Sequence, residues 1–123
     1  MKIAAACIAA LVAAEHAGFL VLEMFLWTTP FALRSFGMTP EFAASTAVLA
    51  ANQGLYNGFL AAGLIWGLLI DSGRVKSFFL SCVVVAGIFG AATVKPSILL
   101  VQALPAAVAL VAVLIAHRRR AAS

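Results

Sequence analysis

Long apolar stretches, separated by short polar segments, dominate this sequence. The apolar stretches cover residues 3–27, 41–70, 77–94 and 97–116. Each is close to the length of about 20 apolar residues that an α-helix needs to cross a bilayer. The pattern therefore predicts an all-α polytopic membrane protein, a four-helix transmembrane bundle that forms a single membrane domain over residues 1–123.

The connections between these stretches carry helix-capping signals. In the first connection, Thr29–Pro30 precedes an apolar segment that ends near Gly37, which predicts a short interfacial helix at the membrane surface. Thr39–Pro40 gives the same signal at the start of the second long helix. The turn at Lys95–Ser97 is so short that the third and fourth spans are expected to be antiparallel neighbours.

Composition supports a membrane protein and excludes other classes. Hydrophobic residues make up 65% of the chain and charged residues 10%, whereas a soluble domain has about 45–50% and 25%. The polar residues are too few to cover a soluble enzyme or a nucleic-acid-binding module. Cys7 and Cys82 lie inside apolar stretches without a CxxC pair, so we expect packing residues and no disulfide framework.

The distribution of lysine and arginine predicts the orientation of the chain. The Ala-rich start resembles a signal peptide, but the apolar stretch resumes after Glu15, so we expect one uncleaved span. With four spans, one side carries Lys2, Arg74, Lys76, Arg118, Arg119 and Arg120, and the other carries Arg34 and Lys95. The positive-inside rule then predicts a multi-pass membrane protein with both termini cytoplasmic, anchored by the basic residues after the last span.

Polar side chains inside the spans are the candidate functional residues, because a carboxylate centred in the bilayer costs up to about 3 kcal/mol. They are Glu15, His16 and Glu23 in the first span, Asn52, Gln53, Tyr56 and Asn57 in the second, and Gln102 in the fourth. Glu23 shares a helix face with His16 and lies one turn from Trp27, which is also suited to the aromatic belt at the interface.

Helical geometry suggests that these groups meet. The polar residues of the second span cover an arc of about 140°, and Gly54 and Gly58 fall on the opposite arc. If the first two spans are centred near Ala14 and Asn57, then Glu15 and His16 lie level with Tyr56 and Asn57. Glu23 lies about 12 Å further out, level with Gln102. We therefore predict a polar pocket between the first two spans, open toward the outer face.

Small residues predict where helices pack closely. Gly54 and Gly58, and likewise Gly63 and Gly67, have the GxxxG spacing that allows close helix contact, within the chain or in a homodimer. Pro105 cannot donate a backbone hydrogen bond, so it frees the carbonyl of Val101 and is expected to kink the fourth span.

Three segments resemble one known family. They are LEMFLWTTP at Leu22–Pro30, FGMT at Phe36–Thr39 and ANQGLYNGFLAAG at Ala51–Gly63, and together they look like the small membrane proteins called domain of unknown function 1304. The resemblance implies a four-span bacterial membrane protein and implies no activity. The motif residues that it marks are Glu23, Trp27, Asn52, Gln53, Gly54, Tyr56, Asn57 and Gly58.

Three classes of function stay open at this point. One is a small transporter in which a membrane-embedded glutamate exchanges a proton for a cationic solute. Another is an intramembrane binding protein or enzyme for a lipid, a quinone or another apolar ligand, with Glu and His as general acid and base. The third is a structural or accessory subunit. The sequence shows no recognised catalytic motif, its histidines lack the HxxxH spacing of a metal site, and no cofactor is identified.

Overall fold

The computed structural model describes residues 2–121, with side chains described through Arg118. This part of the chain folds into α1 (Lys2–Phe25), α2 (Pro30–Phe36), α3 (Pro40–Leu69), α4 (Gly73–Thr93) and α5 (Leu104–Ala121), with a π-helical segment at Leu99–Ala103 before α5. The fold is therefore all-α, as the sequence predicts. The outer part of the predicted basic anchor, at Arg119 and Arg120, lies outside the described side chains.

The four long helices pack side by side, each antiparallel to its neighbours. Helix α1 contacts α3 and α5, and α4 also contacts α3 and α5. The turn between α3 and α4 leads directly into Ser72, whose hydroxyl accepts a hydrogen bond from the Val75 N–H at 3.3 Å. Because this cap starts α4 at Gly73, the helix begins four residues earlier than its apolar stretch predicts.

Helices α1 and α4 and the segment Leu99–Arg118 are long and apolar enough to cross a membrane. The chain is therefore a multi-pass membrane protein with three candidate spans, against the four that the sequence predicts. Helix α3 is the longest helix, at 30 residues. It is not among these three candidate spans, because polar residues such as Asn52, Gln53 and Asn57 lower its hydropathy.

The first connection contains the predicted short helix. The Thr29 hydroxyl accepts a hydrogen bond from the Ala32 N–H at 3.4 Å, and Pro30 occupies the first turn of α2. Gly37 ends the helix with a φ of 64°, a left-handed conformation that glycine adopts without a steric cost. Thr39 caps α3 in the same way, so the two Thr-Pro pairs determine where both helices start.

The apolar core lies in the half of the bundle nearest the two chain termini. Its buried members are Ala5, Ala9, Val12, Ala13, Leu64, Leu80, Val83, Ala106, Ala109 and Val113. Half of these side chains are alanines, which allow the helix axes to approach closely. The polar residues of α1 and α3 lie mainly beyond this core, toward the end of the bundle that carries α2.

The π-helical segment is the local consequence of Pro105. Proline has no N–H to donate to the carbonyl four residues before it, which is that of Val101. One residue before the proline, the N–H of Leu104 donates to the carbonyl of Leu99, five residues back and not four. The widened turn thus accommodates the helix defect that the sequence predicts, and it places Ala103 against Gly87, where a Cβ atom would lie 2.8 Å from the Ala103 nitrogen.

Candidate functional site

Glu23 and Asn57 form a direct hydrogen bond between α1 and α3. The Asn57 side-chain Nδ2 donates to Glu23 Oε2 at 2.7 Å. Asn57 is 6% exposed and Glu23 is half-buried. The two residues are 34 positions apart in sequence, so this pair depends on the packing of the two helices and defines the candidate site.

Two glycines of α3 bring α1 close enough for this bond. A Cβ atom on Gly54 would lie 2.7 Å from Met24 Cγ and 3.0 Å from Glu23 Cβ, and one on Gly58 would lie 2.5 Å from Leu20 Cδ1. The glycine face of α3 is therefore the face that contacts α1. Helical periodicity predicts the glycines on the side opposite the polar residues, but Asn57 lies beside Gly54 and shares the face that contacts α1.

Of the four polar residues of α3, only Asn57 is joined to α1 by a hydrogen bond in the described part of the chain. Asn52, Gln53 and Tyr56 are exposed, and only Asn57 is buried. The physical reason is geometric, since an arc of about 140° is wider than the strip of one helix that a second helix covers. Because the glycines take the centre of that strip, only the polar residue next to them reaches α1.

The register of the two helices also differs from the prediction. We expected His16 level with Asn57, but the glycine contacts bring Glu23 to that level. The difference corresponds to about 10 Å along the helix axes. The prediction assumed that both spans are centred at the same depth. The structure instead sets the register by the fit of Leu20 and Met24 against Gly54 and Gly58.

His16 is fully buried, with an exposed fraction of 0%. Its Nδ1 lies 2.9 Å from the carbonyl oxygen of Val12, so Nδ1 carries a proton and donates it. Its Nε2 has no hydrogen-bond partner among the described residues, and the ring packs edge-on against Phe19. Its neighbour Glu15 is half-buried and joins none of the hydrogen bonds found in the described part of the chain.

Trp27 and Gln102 do not contribute to the Glu23–Asn57 pair. Helix α1 ends at Phe25, so Trp27 lies in the following turn, where its Nε1–H donates to Thr46 Oγ1 at 3.0 Å. Its ring packs against Phe36 of α2 with a centroid distance of 5.2 Å. Trp27 therefore contacts both α2 and α3. Gln102 is half-buried in the π-helical segment, and no hydrogen bond among residues 2–118 joins it to the pair.

Lys76 is a buried charged residue that enters the sequence-based predictions only through the orientation of the chain. It is 7% exposed, and its Nζ lies 3.0 Å from Asp71 Oδ1. Its side chain and backbone pack on Gly67, where a Cβ atom would lie 2.9 Å from Lys76 Cγ. The sequence signal for this contact is the GxxxG spacing of Gly63 and Gly67. This spacing indicates that a neighbouring helix packs closely on Gly67, but it does not identify Lys76 as the residue in contact.

The electrostatic setting of Glu23 differs from that of Asp71. In the part of the chain with described side chains, the only ion pair joins Lys76 to Asp71, so Glu23 has a neutral amide and no cation beside it. A carboxylate in this setting can accept a proton or an external cation. The same residues contain no group of three or more His, Cys, Asp or Glu side chains that could hold a metal ion.

Comparisons with known proteins give a family and no activity. The family model described as "Protein of unknown function (DUF1304)" matches residues 10–114. The chain is 29% identical over 106 residues to the uncharacterized protein YpaA of Lactococcus lactis subsp. lactis (strain IL1403), an alignment that covers 83% of this chain and 89% of that protein. No solved structure matches the chain. The family match covers most of the chain, which therefore belongs to the DUF1304 family.

Proposed function

We propose that α3 crosses the membrane as a fourth span. The contacts of Gly54 and Gly58 with α1 and those of Gly63 and Gly67 with α4 support this proposal. If α1 and α4 both cross, the chain has to return from the far end of α1 to the start of α4 at Gly73. Helix α3 is the only segment between them long enough, since about 20 residues suffice for one crossing.

We propose that the protein is a small membrane carrier that exchanges a proton for a cationic solute at Glu23. The observation that carries this proposal is that the single partner of the Glu23 carboxylate among the described residues is the neutral amide of Asn57. An unpaired charge is expensive inside a bilayer. Glu23 therefore favours either a bound proton or a bound cation, which makes the two competitors for one site.

The hydrogen bond from Asn57 supports such an exchange. An amide N–H donates to a carboxyl oxygen whether or not the carboxyl group carries a proton. Asn57 would hold Glu23 in one orientation through the cycle and leave Oε1 for the exchanging ligand. Gln53 lies one turn from Asn57 on α3, where its exposed amide would contact a bound solute.

Other polar residues extend the proposed site. Glu15 and His16 lie on α1 about 10–12 Å from Glu23 along the helix axis, and we assign them to the path of the proton. The unpartnered Nε2 of His16 supports this assignment, because it is a buried acceptor with unused hydrogen-bonding capacity.

Transport by purified protein in liposomes tests the carrier proposal. With an imposed pH gradient and an entrapped pH-sensitive dye, addition of a lipophilic cation should collapse the gradient through the wild-type protein. Glu23→Gln keeps the side-chain size and should abolish the response. Glu41→Gln, which makes the same chemical change at an exposed carboxylate in the first turn of α3, should leave it unchanged.

Equal responses of the wild type and Glu23→Gln to every cation tried would refute the carrier role. If Glu23→Gln instead altered only the thermal stability, then the pair would serve as a structural link between α1 and α3.

An apolar groove favours binding of a lipid or quinone as a second candidate function. The groove lies between α4 and the π-helical segment. It is lined by Val84, Ile88, Leu99, Leu100, Ala103, Leu104 and Ala107. A photoactivatable lipid or quinone analogue should label these residues in membranes, and labelling spread evenly over the outer surfaces of α1 and α4 would argue against a specific site.

A further inference from the structure

A polar pocket lies at the end of the bundle where α1 and α4 begin and α5 ends. Its polar lining residues are Lys2, Asp71, Lys76 and His117, and we call it the Lys2–Lys76 pocket. The three helix ends around it are also the ends of the three candidate membrane spans. The pocket therefore lies near one surface of the bilayer, whether or not α3 crosses the membrane.

Positive charge predominates among the described residues of this pocket. Lys2 and Lys76 carry two positive charges, and Asp71 carries one negative charge. Helix α4 begins at Gly73 in the pocket lining, so the positive end of its dipole adds to the two lysines. A concave site with this balance of charge attracts anions.

Lys76 keeps unused hydrogen-bonding capacity although it is buried. It is 7% exposed, and its Nζ donates to Asp71 Oδ1 at 3.0 Å, the one hydrogen bond found for Nζ among the described residues. An ammonium group has three N–H donors. A buried charge is costly unless its donors are satisfied, so an anionic oxygen in the pocket would bind where Lys76 needs an acceptor.

His117 adds a ring N–H donor to the same site. A Cβ atom on Gly73 would lie 2.7 Å from His117 Nδ1, so the ring packs directly on the first residue of α4. A neutral imidazole carries one N–H donor, and a protonated imidazole carries two. Glycine at position 73 thus lets the start of α4 and the His117 ring line one pocket.

The lining changes from polar to apolar with depth. Ala5 and Val113 also line the pocket, and each lies about one helical turn further into the bundle than Lys2 or His117 on the same helix. An anion beside Lys2 and Lys76 therefore has an apolar surface about 5–6 Å below it. This arrangement suits a phospholipid, in which a phosphate is joined to apolar chains, better than a free phosphate ion.

We propose that the Lys2–Lys76 pocket binds the phosphate group of an anionic phospholipid. Basic pockets between transmembrane helices bind anionic lipid headgroups in this way. Lys2 and Lys76 neutralise the phosphate, and His117 donates a hydrogen bond to one of its oxygens. The site is separate from the apolar groove beside the π-helical segment and independent of the carrier function, because Glu23 lies near the other end of α1.

Native mass spectrometry of the purified, delipidated protein tests the site. Phosphatidylglycerol should form a one-to-one complex, and phosphatidylcholine with the same acyl chains should bind more weakly. Lys2→Gln should raise the dissociation constant for phosphatidylglycerol by about fivefold, the contribution of one basic residue near a membrane surface. Lys95→Gln is the matched control, because it makes the same change at an exposed lysine at the opposite end of the bundle, and it should bind like the wild type.

Inorganic phosphate distinguishes a lipid from a soluble ligand. It should leave the phosphatidylglycerol complex intact. If it displaces the lipid and raises the melting temperature of the wild type but not of Lys2→Gln, the assignment to a lipid is overturned and the pocket takes free phosphate. The proposal also fails if phosphatidylcholine binds as tightly as phosphatidylglycerol, or if Lys2→Gln and Lys95→Gln bind phosphatidylglycerol equally. Melting temperatures without lipid should match for the two variants, since both lysines are exposed.

Discussion

At the scale of single residues, two buried polar groups of the same bundle differ in how they are satisfied. Asn57 donates to Glu23 at 2.7 Å, whereas the Nε2 atom of His16 has no partner among the described residues. An unsatisfied buried group costs about 1–3 kcal/mol, and a typical hydrogen bond contributes about 1 kcal/mol. Replacement by leucine should therefore destabilise the protein at Asn57 but not at His16.

Asn57→Leu should lower the free energy of unfolding by about 1–3 kcal/mol, because it leaves the Glu23 carboxyl group without a donor. His16→Leu should leave it unchanged or raise it by about 1 kcal/mol, because the orphaned Nε2 is removed. Thermal denaturation in detergent, or refolding in bicelles, compares the two variants with the wild type. A clear loss of stability in His16→Leu would mean that Nε2 has a partner, such as a buried water.

At the scale of elements, glycines determine which helices touch, and their surroundings decide what a substitution costs. The nearest atoms around Gly87 belong to the backbone and Cβ of Ala103, which cannot move without shifting the π-helical segment. The nearest atom to Gly58 is the end of the Leu20 side chain, which can rotate away. Gly18 has nothing within 4 Å of the position that a Cβ would take.

Three alanine substitutions should therefore rank in a definite order. Gly87→Ala should destabilise the protein by about 1–3 kcal/mol through overpacking. Gly58→Ala should be close to neutral, since the helix propensity that alanine gains offsets the displacement of Leu20. Gly18→Ala should stabilise by up to about 1 kcal/mol. Thermal melts of the three purified variants give the order, and a stable Gly87→Ala would contradict the close contact of α4 with Ala103.

At the scale of the whole molecule, the two ends of the bundle differ in charge. Lys2, Asp71, Lys76 and His117 line one pocket, so the start of α1, the turn before α4 and the end of α5 lie at one end. The opposite end carries α2 with Arg34, and the turn that contains Lys95. If all four long helices cross the membrane, the positive-inside rule predicts that the end with Lys2 and Lys76 is cytoplasmic.

Reporter fusions test this topology. A reporter that is active only in the cytoplasm should be active when fused after Lys76 or after Ser123, and inactive after Lys95. A reporter that is active only in the periplasm should give the reverse result at each position. If α3 does not cross, the fusion after Lys76 should report the same side as a fusion after Arg34.

Several features of this protein follow from sequence alone because they depend on local interactions. Thr29–Pro30 and Thr39–Pro40 begin α2 and α3, as the sequence predicts, since the cap and the fixed φ of proline act within one turn. The apolar stretches predict helices because period and composition are properties of single segments. The effect of Pro105 on the carbonyl of Val101 is equally local, although the sequence did not indicate that a π-helical turn would accommodate it.

Only the tertiary structure decided which polar residues meet. Helical periodicity gives the direction of each side chain relative to its own axis, but not the rotation or the register of one helix against another. Here the fit of Leu20 and Met24 on Gly54 and Gly58 sets both quantities, so Asn57 bonds to Glu23 while Asn52, Gln53 and Tyr56 face outward. The sequence identifies the candidate residues because a polar side chain inside a membrane is energetically costly. It does not identify which of them pair, because pairing depends on contacts between residues far apart in the chain.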